Sequence, residues 1–259
     1  IGGSVIGQGT LRNFYAIHVA ALPVLLVVMV SYHFWKIRKN GGISQPKSDQ
    51  ARADKVTTIP NLVQRELAVG ATVLAIVLVF AMLTPAPLQA LADPAKSPNP
   101  AKAAWFFVGL QELLLHMHPS AAIGLIGVLL ALIFLVPVID RSGEDIGIYF
   151  RSTKGRWIAG LSAFLAIDVV VLLVLLDENR LDLAAAFPSL PAAITLGLIP
   201  VGIALAILAL VYFSNRLFFK ANHSEALMGL FTFIMVALVV LTIIGVFFRG
   251  PNMALSLPF

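Results

Sequence analysis

Cysteine is absent from the 259 residues, which excludes disulfides, thiolate metal sites, iron–sulfur clusters held by this chain and covalent c-type haem attachment. Charge is scarce as well. Asp, Glu, Lys and Arg make up 12% of the chain, against about 25% in an ordinary soluble domain, and this argues against a soluble enzyme. No alternating strand pattern, internal repeat or low-complexity segment is visible. There is no basic face with interleaved aromatics outside the apolar runs, so the net charge of +5 carries no nucleic-acid reading. The chain opens on Ile1 and runs into Gly2-Gly3-Ser4 without a basic stretch leading to a short apolar core. No signal peptide is expected, and the reading is of a processed, split or truncated polypeptide.

What the chain has instead is apolar length: 59% of it is hydrophobic and its mean hydropathy is +0.93. A bilayer core of about 30 Å needs about 20 apolar residues at 1.5 Å rise each. Six stretches qualify, at roughly 12–36, 66–84, 120–139, 156–177, 191–213 and 225–248. Only a helix satisfies its own backbone groups in lipid, so each run is expected to be helical despite its many Val and Ile residues. The expected fold is all-α, a polytopic transmembrane helical bundle of about six spans. A seventh run at 103–115 is too short to cross and is expected to form a short interfacial or re-entrant helix, after a proline-rich stretch with Pro85, Pro87, Pro94, Pro98 and Pro100. Prolines inside the spans (Pro23, Pro137, Pro200) are tolerated in membranes and mean little alone.

The basic residues set the orientation. With the N-terminus on the outer, electropositive (p) side, 13 of the 18 bases fall on the inner (n) side, from Lys36, Arg38 and Lys39 through Lys47, Arg52, Lys55, Arg65, Arg141, Arg151, Lys154 and Arg156 to Arg216 and Lys220. Only Arg12, Lys96, Lys102, Arg180 and Arg249 then face p. Translocation disfavours Lys and Arg, so both termini are expected on the p side, as is the short helix.

Two histidines lie inside the first span. His18 and His33 are 15 residues apart, a rotation of about 1500°, or four turns plus about 60°, and an axial gap of about 22 Å. They face nearly the same way, one near each membrane surface. Neutral imidazole is a preferred axial ligand of haem iron, and the spacing suits two stacked haems, each completed by a ligand from another helix. The other reading is a pair of helix–helix hydrogen bonds, since buried intramembrane polar residues also serve packing. His116 and His118 do not share a helical face and are expected to end the short helix rather than bind a metal. Asp168 falls mid-span, where an unpaired carboxylate is expensive, and is expected to face a partner, a cavity or a subunit interface. Tyr32, Trp35, Trp157 and Tyr212 near span ends read as an aromatic belt.

The residues around these histidines carry a resemblance. Gly7-Gln8-Gly9-Thr10-Leu11-Arg12-Asn13-Phe14-Tyr15-Ala16-Ile17-His18, then Leu22-Pro23, His33-Phe34, Ile37-Arg38-Lys39 and Gly42-Ile43-Ser44 closely resemble the fourth transmembrane helix of cytochrome b, from the quinol-oxidising bc and bf complexes. The 15-residue spacing is more similar to the bf branch. The resemblance implies that His18 ligates a p-side, low-potential b haem and His33 an n-side, high-potential one. Arg38 and Lys39 would lie near the n-side propionates, although anchoring at the inner surface explains them equally. Pro60-Asn61-Leu62 is similar to the start of the bf-type subunit IV, and Glu66 stands near the family's n-side quinone acid. Arg65-Glu66 is either a proton relay or an interfacial ion pair.

The stretch Asn99-Pro100-Ala101-Lys102-Ala103-Ala104-Trp105-Phe106 occupies the place of the family's quinol-oxidation motif, Pro-Glu-Trp-Tyr. Trp105 alone matches outright; Ala104 replaces the glutamate and Phe106 the tyrosine. Trp105 and Phe106 are therefore the candidate quinone-site residues. Glu112, two turns beyond Ala104, is the candidate replacement proton acceptor, with a carboxyl raised by burial, or else a carboxylate bound at the interface.

The helix that would supply the opposing histidines is missing, so another chain or an N-terminal part of cytochrome b is needed to complete the haems. By resemblance the partners are a Rieske-type iron–sulfur protein, a cytochrome c subunit or other electron acceptor, lipid, and a second copy in a dimeric complex, with quinone or quinol as substrate. The expected setting is an integral membrane protein, in the bacterial inner membrane. The expected divisions are 1–45, the last helix of the haem bundle; 46–155, the subunit-IV-like region; and 156–259, additional helices to which only packing roles can be given. The function implied is a cytochrome b-type subunit of a quinol oxidoreductase, a component rather than an enzyme on its own, passing electrons across the membrane between two b haems. The alternatives are a haem-free anchor or transporter-like subunit, and a b-haem conduit without p-side quinol oxidation.

Overall fold

The computed structural model describes residues 7–42, 57–85, 99–139, 152–179 and 183–257. Ile43 and Ser44, together with Lys47, Arg52, Lys55, Lys96, Arg141, Arg151 and Arg180, lie outside the described residues, as does the expected division at 45. No strand occurs among the described residues, and the one isolated bridge pairs Arg249 with Leu255. Six helices are long and apolar enough to cross a membrane: α1 (Gln8–Lys39), α2 (Thr58–Leu83), α4 (Pro119–Ile139), α5 (Thr153–Asn179), α6 (Ala193–Leu217) and α7 (His223–Phe247). The short helix α3 (Trp105–Leu115) precedes α4. All six spans and the short helix match the expected runs to within a few residues at most ends and by eight at the start of α2.

The described residues fall into two compact units, one formed by α1 and the other by α2 through the C-terminal residues. In α1 the helix widens into a π turn at Ile17–Ala21, immediately before Pro23. Proline has no N–H to donate and its ring crowds the preceding turn, and a π turn relieves both. The same pairing recurs where the π segment Ala193–Leu198 meets Pro200. The prolines are thus accommodated within the spans, with a local change of winding at two of them.

In the second unit α7 is central and packs against α5, α3 and α6. Val170 and Val174 of α5 meet Val240 and Ile244 of α7 in one apolar cluster, and Ala166, Val211 and Phe233 join α5, α6 and α7 in another. Two glycines set the close crossing of α3 and α7. A Cβ on Gly109 would stand 3.0 Å from the Leu238 carbonyl and 3.1 Å from the Thr242 nitrogen, and one on Gly245 would stand 3.2 Å from the Val108 carbonyl. Backbone therefore lies on backbone. The start of α7 is closed by a capping box, with Asn222 accepting from the Glu225 N–H and Glu225 accepting from that of Asn222. The Ser152 hydroxyl donates to the same Glu225 at 2.6 Å, which ties the start of α5 to it.

Candidate functional site

Three groups of sequence-expected residues can be placed. The first lies on α1. His18 sits inside the π turn and His33 in the regular helix beyond it; both are exposed in this chain and neither makes a hydrogen bond to a described residue. A π turn absorbs up to one residue of winding, so the angle between the imidazoles lies between about +60° and about −40°, within one half of the helix either way. Two exposed imidazoles with free nitrogens on an otherwise apolar rod are a donor set that fits axial ligation of iron. Among the described residues no group of three or more His, Cys, Asp or Glu could hold a metal, so any second ligand comes from elsewhere. Arg38 and Lys39 fall in the last turn of α1, where cations favour the helix C-terminus. Lys36 lies 5.6 Å from both the Tyr32 and Trp35 ring centres, and Lys39 lies 5.2 Å from that of Trp35. The belt expected at this end is therefore a stack of rings and cations.

Glu66 lies in the first turn of the regular segment Val63–Leu83 that makes up most of α2, after the opening stretch Thr58–Leu62, and it makes no ion pair with a described residue. On α5, Asp168 is exposed among Leu165, Val171 and Leu172 on the face turned away from α7.

The third group surrounds α3, and here the structure adds most. Trp105, Phe106 and Phe107 open the helix and are all more than half exposed. Trp105 and Phe106 pack edge to face, with centroids 5.6 Å apart. The stretch before them has no regular structure, yet its polar groups are engaged. The Gln111 amide donates to the Ala101 carbonyl at 2.7 Å and accepts from the Ala103 N–H at 2.6 Å, folding the segment back on α3. The Asn99 amide donates to the side-chain oxygen of Asn252 at 2.7 Å and accepts from its backbone N–H. The Lys102 ammonium donates to the Val246 carbonyl at 2.8 Å, at the C-terminal end of α7.

Glu112 lies on the inner face of α3, with its side chain 0% exposed, against Arg249 at 1%. The Arg249 Nε donates to both carboxylate oxygens at 3.0 Å and Nη2 to one of them; Nη1 donates to Glu178 and, at 2.9 Å, to the Met253 carbonyl. The His116 imidazole bridges Glu112 (3.2 Å from Nε2) and Asp177 (2.6 Å from Nδ1). Burial pushes the Glu112 carboxyl up, but the hydrogen bonds and charges of His116 and Arg249 outweigh it and hold the carboxyl below its usual 4.5. Burial pulls the His116 imidazole down, and Glu112 and Asp177 outweigh that, raising it above its usual 6.5. The expectation of a raised Glu112 carboxyl open to a quinol is thereby corrected: the group faces the α3–α7 contact and stays ionised because a guanidinium fork is fitted to it. His116 does end the short helix, as expected, while His118 accepts from the Ser120 N–H at 3.3 Å. Arg249, Asp177, Glu178, Lys102 and Asn252 were not singled out by sequence. The signal was present: the expected orientation puts Glu112, His116, Asp177, Glu178 and Arg249 on one side of the membrane, with complementary charges.

Comparison with known proteins adds the family. Residues 1–91 match the model described as "Cytochrome b(N-terminal)/b6/petB", and residues 91–185 match "Cytochrome b(C-terminal)/b6/petD". The chain belongs to the cytochrome b family. Among curated proteins, cytochrome b of Neurospora crassa is 25% identical over 157 residues, covering 58% of this chain and 40% of that protein. Cytochrome b6 of Porphyra purpurea is 51% identical over 45 residues, covering 17% of this chain and 20% of its own. The chain thus spans less than half the length of these relatives. No solved structure matches it. Six apolar helices and the family together make it an integral membrane protein.

Proposed function

We propose that this cytochrome b family chain is a haem-b and quinone-site subunit of a bc- or bf-type quinol oxidoreductase, a component that works only with other subunits. The observation that carries the reading is the pair of exposed imidazoles on α1, neither hydrogen-bonded to a described residue, within the region similar to the N-terminal cytochrome b model. His18 and His33 would each hold one haem b at a different depth, and Arg38 and Lys39 would neutralise propionates at the end near His33. When bound, haem b supplies reversible one-electron redox chemistry. Two haems would need opposing ligands from an N-terminal cytochrome b part or a separate subunit. A Rieske-type iron–sulfur protein, a cytochrome c or other acceptor, and a dimeric complex in a bacterial inner membrane with both termini on the p side belong to the same proposal.

Trp105 and Phe106 would bound the p-side quinol site, their exposed rings offering flat apolar area to a quinone ring. Glu66 would stand at the n-side quinone. Glu112 enters as an internal anchor of α3, since its carboxylate is already bound by Arg249. Reduced-minus-oxidised spectra of the purified complex test the haem assignment, with each of His18→Ala and His33→Ala expected to lose one b-type signal. Unchanged spectra in both variants would leave a haem-free anchor. A second reading, a b-haem conduit that oxidises no quinol on the p side, is favoured by Ala104 at the place of the family's glutamate. Insensitivity of electron transfer to p-side quinol-site inhibitors would select it.

A further inference from the structure

We propose that Arg249 is a positioning residue for the Trp105 segment, and that the exit of α7 is thereby a working part of the p-side site. The inference rests on the proposed quinol-oxidising function. Nothing in the family match reaches this far: the matched residues end at 185, and Arg249 lies beyond them.

Three contacts fix the irregular stretch that leads into α3. One is internal, from Gln111; the others, Asn99 with Asn252 and Lys102 with the Val246 carbonyl, both end on α7 or the turn after it. That turn is tightly built. The Gly250 N–H donates to the Ala254 carbonyl at 2.9 Å, the Ser256 N–H donates to the Phe248 carbonyl at 2.9 Å, and Asn252 and Met253 take left-handed φ of 56° and 59°. Arg249 holds the turn through the Met253 carbonyl and with the same guanidinium grips Glu112 on α3 and Glu178 on α5. One side chain therefore sets the turn that carries Asn252 and the seat of α3 together.

The grip is transmitted directly to the aromatic entrance. Glu112 lies seven residues beyond Trp105, about 10 Å along the axis and within about 20° of the same direction. At a site where about 1 Å of misplacement costs up to 100-fold in rate, a shift of α3 on α7 reaches the quinol through Trp105. Lysine cannot replace the fork. A single ammonium reaches one carboxylate well, whereas Arg249 satisfies two carboxylates and a carbonyl.

The test uses the intact complex in membranes, assayed with a short-chain quinol and with its haem b content measured in the same samples. Asn252→Ala removes the side-chain half of the Asn99 clamp and leaves the bond from the backbone N–H, without stranding a buried charge, and Arg249→Lys keeps the charge while losing the fork. The expected result is full haem content with KM for quinol raised about threefold in Asn252→Ala and about tenfold in Arg249→Lys, with a smaller effect on kcat. Arg249→Gln is expected to be worse than Arg249→Lys. If activity falls only in proportion to haem content, or if KM is unchanged in both Asn252→Ala and Arg249→Lys, the inference is overturned while the functional reading stands. A wild-type complex that oxidises no quinol overturns both.

Discussion

Helix α1 and the α3–α5–α7 assembly treat their polar groups in opposite ways. Along α1 the apolar window is 0% buried, and both histidines stand exposed without a hydrogen bond to a described residue, His33 touching only the neighbouring Phe34 ring. At the junction of α3, α5 and α7, three acids and two bases are closed on one another, and Glu112 and Arg249 are almost wholly buried. The first region leaves its imidazole nitrogens open; the second closes its charges on one another. On the proposed function, chemistry that needs a second ligand falls to the first. The second holds geometry.

The sharpest way to break this comparison is at the histidines. His18→Ala and His33→Ala are expected to abolish one haem b signal each while leaving the thermal unfolding of the detergent-solubilised C-terminal helices unmoved. A loss of stability equal to that of a core variant would mean that α1 is not an open-ended region. Next in size is Arg249→Leu, which strands the Glu112 carboxylate in a buried site and should cost about 3–5 kcal/mol. The double variant Arg249→Leu with Glu112→Leu should cost clearly less than the sum of the two single changes, because no charge is left unpaired. Additive losses would show that the pair does not act as a unit.

Glycine gives a milder contrast between the same kinds of region. Gly109→Ala drives a Cβ onto the Leu238 carbonyl and Thr242 and should destabilise by about 1–3 kcal/mol as α3 is forced off α7. Gly70→Ala, on α2 with nothing within 4 Å, should be neutral or stabilising by up to about 1 kcal/mol. The smallest effect is that of pH. The His116 imidazole is raised in the folded chain, so its contribution is complete below its usual 6.5 and is lost as pH rises through the raised value. Glu112 is lowered, so its contribution is present above its usual 4.5 and is lost only as pH falls through the lowered value. Stability is therefore expected to hold across mildly acidic pH and to decline on the alkaline side. In His116→Gln, melting temperatures followed against pH should lose that alkaline decline.

The spans were legible because a bilayer imposes one requirement, about 20 apolar residues in a helix, that any sequence meeting it must display. The short helix was legible for the same reason, being too brief to cross. Its ion pairs were not. Glu112 and Arg249 are 137 residues apart, and His116 and Asp177 are 61 apart. No local pattern links them; only a shared membrane side does. The last two spans read from sequence as packing alone, since they exceed the family's pattern. Pro23 and Pro200 are bland as letters in a span, yet each follows a π turn and one of those turns contains His18. Of the two expectations for Glu112, a carboxyl raised by burial and a bound carboxylate, only the structure decides, because Arg249 lies 137 residues away and reverses the sign of the shift. A buried carboxyl has no direction of shift until its neighbours are known.

The fastening of α7 at both ends has a mechanical consequence. Its 25 residues make a rod of about 37 Å, longer than a typical hydrocarbon core of about 30 Å. An isolated helix of that length would lean over to match a thinner bilayer. This one is joined to the start of α5 by Glu225 and Ser152 at one end, and by Lys102 at its last turn to the stretch that leads into α3. It cannot lean alone, so a change in acyl-chain length has to be met by the whole assembly inclining as a block or by the surrounding lipid stretching and compressing around it.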